Sequence, residues 1–192
     1  MILITDWTRS DLLERVDAAL SAGPGIAIQH RNPGADDRTF LDQGRALGAL
    51  CTRHQAPLFI NRRLDLALLL DAHLHLPSTG LLPSDVRPHL PGKWLSVAVH
   101  DEAEAARATG AGLALVSPVF EPLSKPEDRP PLGPEGFAAL KARLPCPAFA
   151  LGGVTAQTLA SLGTVDGAAV IGAVLSAADP REAAAQLLQR LR

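Results

Sequence analysis

The stretch Ile2–Asp11, ILITDWTRSD, decides the fold. A short apolar run, Ile2–Thr5, reads as a strand. Ser10 then opens an amphipathic segment, Ser10–Ala22, with Leu12, Leu13, Val16 and Leu20 at helical spacing. A doubly wound open sheet should carry glycines in the turn after its first strand, where the backbone approaches a dinucleotide. Residues 5–11, TDWTRSD, contain none. That turn therefore favours the other common β/α arrangement, a closed barrel.

The same alternation continues along the chain. Further strands are expected at Gly25–Gln29, Pro57–Ile60, Ala72–Leu76, Trp94–Val99, Leu113–Val116, Ala148–Leu151 and Ala168–Ile171. Helices are expected at Asp36–His54, Glu102–Thr109, Pro134–Leu144, Thr155–Leu162 and Arg181–Leu191, with short ones after the third and fourth strands. Eight strand–helix units imply parallel pairing, right-handed crossovers and a (β/α)₈ TIM barrel. Residues 1–192 read as a single domain. The proline-rich segment Glu121–Gly133 reads as a surface loop after the sixth strand.

Composition narrows the function. The formal net charge is -2, aromatics make up 4% and tyrosine is absent, so nothing suggests nucleic acid or a membrane as partner. Cys51 and Cys146 are far apart and form no metal pattern. The N-terminus lacks a basic, apolar leader, and a cytoplasmic protein is expected.

In a barrel, chemistry sits where strands end. Gly152, Gly153, Ile171 and Gly172 follow the seventh and eighth strands and are candidates for a phosphate cradle; the plainer reading is tight turns. Gln29 and Arg31 share one face of the second strand, where Arg31 can grip a phosphate, and His30 faces the other way, toward the helices or the rim. Asn61 and Arg62 end the third strand. His73 and His75 share one face of the fourth; without an evident third ligand, a polar barrel-interior position or a ligand contact by His75 is expected rather than a metal site. His100 ends the fifth strand, and Asp101 caps the helix after it. Ser124 and Lys125 lie in the proline-rich loop, where they can close over an anion.

Taken in order, ITD, IQHR, FINRRLDLAL, HLHLP, SVAVH, SPVFEPLSK, LPCPAFALGGVT and VDGAAVIGAV resemble the strand ends of the thiamine-phosphate synthase/TenI family across nearly the whole chain. The resemblance implies a homo-oligomeric barrel, a dimer or larger, that binds a phosphorylated thiazole. It also implies that a synthase holds Mg²⁺ with two aspartates. Arg62 stands in the place of one, and residues 77–83 offer no carboxylate for the other. Pro33 and Ala98 depart from the synthase pattern as well. A TenI-like, metal-free and cofactor-free thiazole tautomerase is therefore expected, with a catalytically silent regulatory barrel as the alternative and synthase activity least expected. Pro118 replaces the tautomerase histidine, which leaves His75, His100 or Lys125 as catalytic candidates, with Glu121 beside them.

Overall fold

A computed structural model describes residues 1–121 and 129–192. Eight parallel strands close in sequence order: β1 (Ile2–Ile4), β2 (Ala27–His30), β3 (Leu58–Asn61), β4 (His73–Leu76), β5 (Leu95–Val99), β6 (Leu113–Val116), β7 (Ala148–Ala150) and β8 (Gly167–Val170). The barrel is shut by β1, which pairs with β2 through Ile2–Ala27 and with β8 through Ile2–Ala169. This is the TIM barrel expected from the alternation, and every strand lies within two residues of its expected bounds.

Around the barrel run α1 (Leu12–Leu20), α2 (Asp37–His54), α3 (Leu64–Leu69), α4 (Pro83–Val86), α5 (Glu102–Ala106), α6 (Gly133–Lys141), α7 (Gly172–Leu175) and α8 (Pro180–Arg190). Capping explains several starts. Asp36 accepts from Thr39 N at 2.8 Å, Asp101 from Glu104 N at 2.8 Å, and Asp179 from Arg181 N and Glu182 N. Two expectations fail locally. Ser10 does not cap α1; Asp11 holds that position, and its carboxylate is drawn to Arg9 and Arg15 instead of to a backbone amide. The expected helix Thr155–Leu162 is reduced to a 3₁₀ turn, Thr158–Ser161. There the Thr158 hydroxyl bonds Gly153 O and Thr155 O, competing with helical pairing.

The glycine-free turn after β1 is built from side chains. Thr5 Oγ1 accepts from Arg31 N at 2.9 Å and donates to Arg31 O at 3.1 Å, tying the ends of β1 and β2 together. Trp7 Nε1 donates to His30 Nδ1 at 3.1 Å. With Nδ1 accepting, Nε2 carries the proton and donates to Phe40 O at 2.9 Å. Of the two directions expected for His30, the helix side is the one taken, and its ring stacks on Phe40.

Inside the barrel, large and small side chains alternate around the wall. Ile2, Ile4, Phe59, Leu113 and Leu115 cluster with Ala27 and Ala169, and Phe149 and Leu151 pack against them. One tight fit joins neighbouring strands: a Cβ on Gly167 would lie 2.5 Å from Phe149 Cζ. Gly167→Ala should therefore lower stability in urea by about 1–3 kcal/mol. Phe149→Leu in the same chain should recover much of that loss. Simple additivity of the two changes would refute the fit.

Candidate active site

Two cavities open at opposite ends of the barrel. The larger, about 1020 Å³, lies at the N-terminal end of the strands among Phe59, Trp94, Leu113 and Phe149, and it gathers none of the expected ligand-binding residues. The other, about 690 Å³, lies at the C-terminal mouth. It brings together Gln29, Arg31, Asn61, Arg62, His75, His100, Gly152, Gly153, Ile171 and Gly172. Chemistry and not size marks the second as the candidate site. Ser124 and Lys125 lie outside the described residues.

Alternation along β2 carries Gln29 inward, where it is buried. Its Nε2 has no hydrogen-bond partner among the described residues, a donor without an acceptor there at the mouth. His75, also buried, bonds Ser96 Oγ through Nδ1 at 2.8 Å. Burial, then the charges of Arg31 and His100, push its pKa down to about 3. His75 is thus neutral at physiological pH, a hydrogen-bonding group and not a cation.

His100 has a partner that the sequence reading missed. Glu104 Oε2 accepts from His100 N at 2.8 Å and from His100 Nδ1 at 2.7 Å. A carboxylate only accepts, so Nδ1 carries a proton and the tautomer is set. The signal was the i,i+4 spacing of His100 and Glu104 around the cap Asp101.

The adjacent arginines part company. Arg63 reaches Asp37 at 2.5 Å and Asp65 at 2.6 Å, so it is a structural clasp between α2 and α3. Arg63 holds Asp65 below the usual carboxylate range. Arg62, in contrast, has no carboxylate partner among the described residues. Its φ of 69° is left-handed, a conformation that costs a non-glycine residue about 1 kcal/mol or more. A turn fixes it: Arg63 N donates to Asn61 O at 2.8 Å, and Arg62 N donates to His75 O at 2.7 Å.

Gly152 and Gly153 have φ of 92° and 59°. A Cβ on Gly152 would come within 2.8 Å of Pro118 Cα, and one on Gly153 would strike Glu121 O and Phe120 Cβ. Leu151 O and Gly152 O accept from Val119 N and Phe120 N. These glycines are required for packing two loops together, whatever else they bind. Gly172 opens α7, with Ile171 at its cap position.

Residues 1–174 match the family model described as thiamine monophosphate synthase. This chain belongs to that family. A thiamine-phosphate synthase of Synechococcus sp. strain CC9311 is 36% identical over 201 residues, covering 100% of this chain and 56% of its own length. One from Chlorobium limicola is 37% identical over 196 residues, covering 98% of this chain and 91% of its own length. The chain thus spans about half the length of some curated relatives and nearly all of others. The solved structure of thiamine phosphate pyrophosphorylase from Pyrococcus furiosus superposes with a TM-score of 0.86 at 28% identity, covering 99% of this chain and 94% of that one.

These relatives overturn the expectation of a tautomerase or a silent barrel, and with it the ranking of synthase activity as least expected. The physical weakness lay in treating one charge device as indispensable: a departing pyrophosphate needs positive charge, and carboxylate-held metal is one source among several. The aspartate substitutions themselves stand. None of the described residues lining the mouth is an Asp or Glu, and no three His, Cys, Asp or Glu side chains converge among the described residues. The donor set does not fit Mg²⁺, which prefers carboxylate oxygens.

His30 and His75 also set the acid stability. Burial pushes the His30 pKa down to about 4. Below about pH 6.5 the unfolded chain protonates both rings while the folded chain does not, so stability falls as pH falls. At pH 5 each ring should cost about 2 kcal/mol relative to pH 7. Urea midpoints at the two pH values should show the drop, and His75→Asn should remove about half of it. An unchanged pH slope in that variant would refute the role of His75.

Proposed function

We propose that this protein joins a thiazole phosphate to a pyrimidine pyrophosphate, releasing pyrophosphate and forming thiamine phosphate. The observation that carries this reading is the family match over residues 1–174, with thiamine-phosphate synthases 36–37% identical across the whole chain. The mouth supports it. Both substrates are small anions with flat heteroaromatic rings, and the cavity of about 690 Å³ combines apolar walls with two guanidiniums, Arg31 and Arg62, that have no carboxylate partner among the described residues.

Thr5 and the turn at Asn61 hold the backbones of those two arginines. Gln29 Nε2 offers a buried donor to a ring nitrogen or a phosphate oxygen. Neutral His75 lies below, bonded to Ser96. The chemistry asked of the protein is modest. The thiazole nitrogen forms a C–N bond to the pyrimidine methylene as the C–O bond breaks, and the bonding pair leaves on pyrophosphate. No proton need move, so positioning and charge stabilisation carry the rate.

A homo-oligomer belongs to this reading. Exposed Leu68 and Leu69 of α3, with Leu81 and Leu82 before α4, offer an apolar surface for a second copy.

Purified protein given both substrates should form thiamine phosphate, detected by mass spectrometry; no product above the protein-free control would defeat the proposal. Gln29→Leu should reduce kcat/KM by about 10- to 100-fold through loss of a ligand hydrogen bond. The same change should leave the urea midpoint equal or higher, because the Nε2 has no internal partner to lose. A large stability loss with unchanged kcat/KM would place Gln29 in the scaffold instead.

A further inference from the structure

We infer that this chain neutralises pyrophosphate with Arg62 and Arg31 directly, without a divalent cation. The inference rests on the synthase reading and names how that site handles its leaving group. Where the family resemblance puts a metal-binding aspartate, this chain has Arg62, and residues 77–83 contain no carboxylate. The substitution raises the fixed charge at that spot by about two elementary charges, the charge a divalent ion would bring.

Three observations show that Arg62 is kept for a ligand. First, Asp65, three residues on in α3, and Asp37 in α2 are both held by Arg63. Arg62 is thereby spared an internal ion pair, although its neighbour has two. Second, its backbone is held left-handed at φ 69° by its own N–H on His75 O of β4 and by the turn in which Arg63 N donates to Asn61 O. A long β-carbon-bearing side chain is retained where glycine would be easier, and it lines the mouth. Third, the mouth holds a second guanidinium without a carboxylate partner among the described residues, Arg31, whose charge reaches His75, and a buried donor, Gln29 Nε2, without an acceptor among them. Donors and cations that no described carboxylate or acceptor satisfies call for an anion of high charge.

Guanidinium is suited to that task. It stays charged at any working pH and donates in a planar fork that matches two phosphate oxygens. In the transfer step the C–O bond to the pyrimidine methylene breaks, and pyrophosphate takes the electron pair and gains one negative charge. The thiazole nitrogen gives its lone pair to the new C–N bond and becomes positive. Atoms and charge balance with no further reactant. Arg62 and Arg31 offset the charge that builds on the pyrophosphate oxygens.

The test is titration calorimetry of inorganic pyrophosphate into the whole chain in excess EDTA, repeated with Mg²⁺. Saturable binding is expected in EDTA. Arg62→Gly should weaken it at least about 10-fold, while leaving the urea midpoint equal or higher because glycine accepts φ 69°. Arg62→Asp should abolish binding in EDTA and restore some of it with Mg²⁺. Binding seen only with Mg²⁺, or binding unchanged in a folded Arg62→Gly variant, overturns the inference. Product assays in EDTA separate this from the reading beneath it. Metal-free, Arg62-dependent pyrophosphate binding without thiamine phosphate formation upholds the inference and defeats the synthase proposal. Thiamine phosphate formation that stops in EDTA overturns the inference and keeps the proposal.

Discussion

Everything in this molecule depends on closing eight short parallel strands around an interior too narrow for eight large side chains at one level. The wall solves this by alternation. Phe149 occupies the space that a side chain on Gly167 would need, and Ala27 and Ala169 flank Ile2. Closure also sorts the interior by height. Isoleucine, phenylalanine and leucine fill the lower part, while Gln29, Asn61 and His75 face the upper part and the mouth. A reactive end follows from a packed one.

The loops complete the mouth by tying strand ends to each other. Thr5 clasps the backbone of Arg31, and the third-strand turn is bonded to His75 O on the next strand. The glycines after β7 are there because the β6 loop occupies the space of any Cβ. Side-chain direction at the mouth is thus set by hydrogen bonds and excluded volume between neighbouring units.

The fold was legible in the sequence because it is written in local patterns: short apolar runs, helical periodicity, aspartate caps and a first turn without glycine. The site was legible in part. Gln29, Arg31, Asn61, Arg62, His75 and His100 all reach one mouth, since parallel strands deliver their ends to the same face. The activity was misread. Loss of the aspartate at Arg62 looked like loss of synthase chemistry, yet relatives matching the full chain carry the synthase name. A missing metal ligand speaks to how charge is supplied; whether the reaction occurs is a separate matter.

By itself the sequence determined the eightfold barrel, the face where polar strand ends gather and the family, because each rests on patterns spanning a few residues repeated along the chain. Only the tertiary structure decided which of two adjacent arginines pairs with Asp37 and Asp65 and which has no carboxylate partner among the described residues. Asp37, 26 residues before Arg63, approaches it across the gap between α2 and α3, and no local pattern records that meeting. The same holds for the orphan donor on Gln29 and the interior bond between His75 and Ser96, 21 residues apart. Pairing of charges and hydrogen bonds depends on distance in space, and closure of the barrel is what sets those distances.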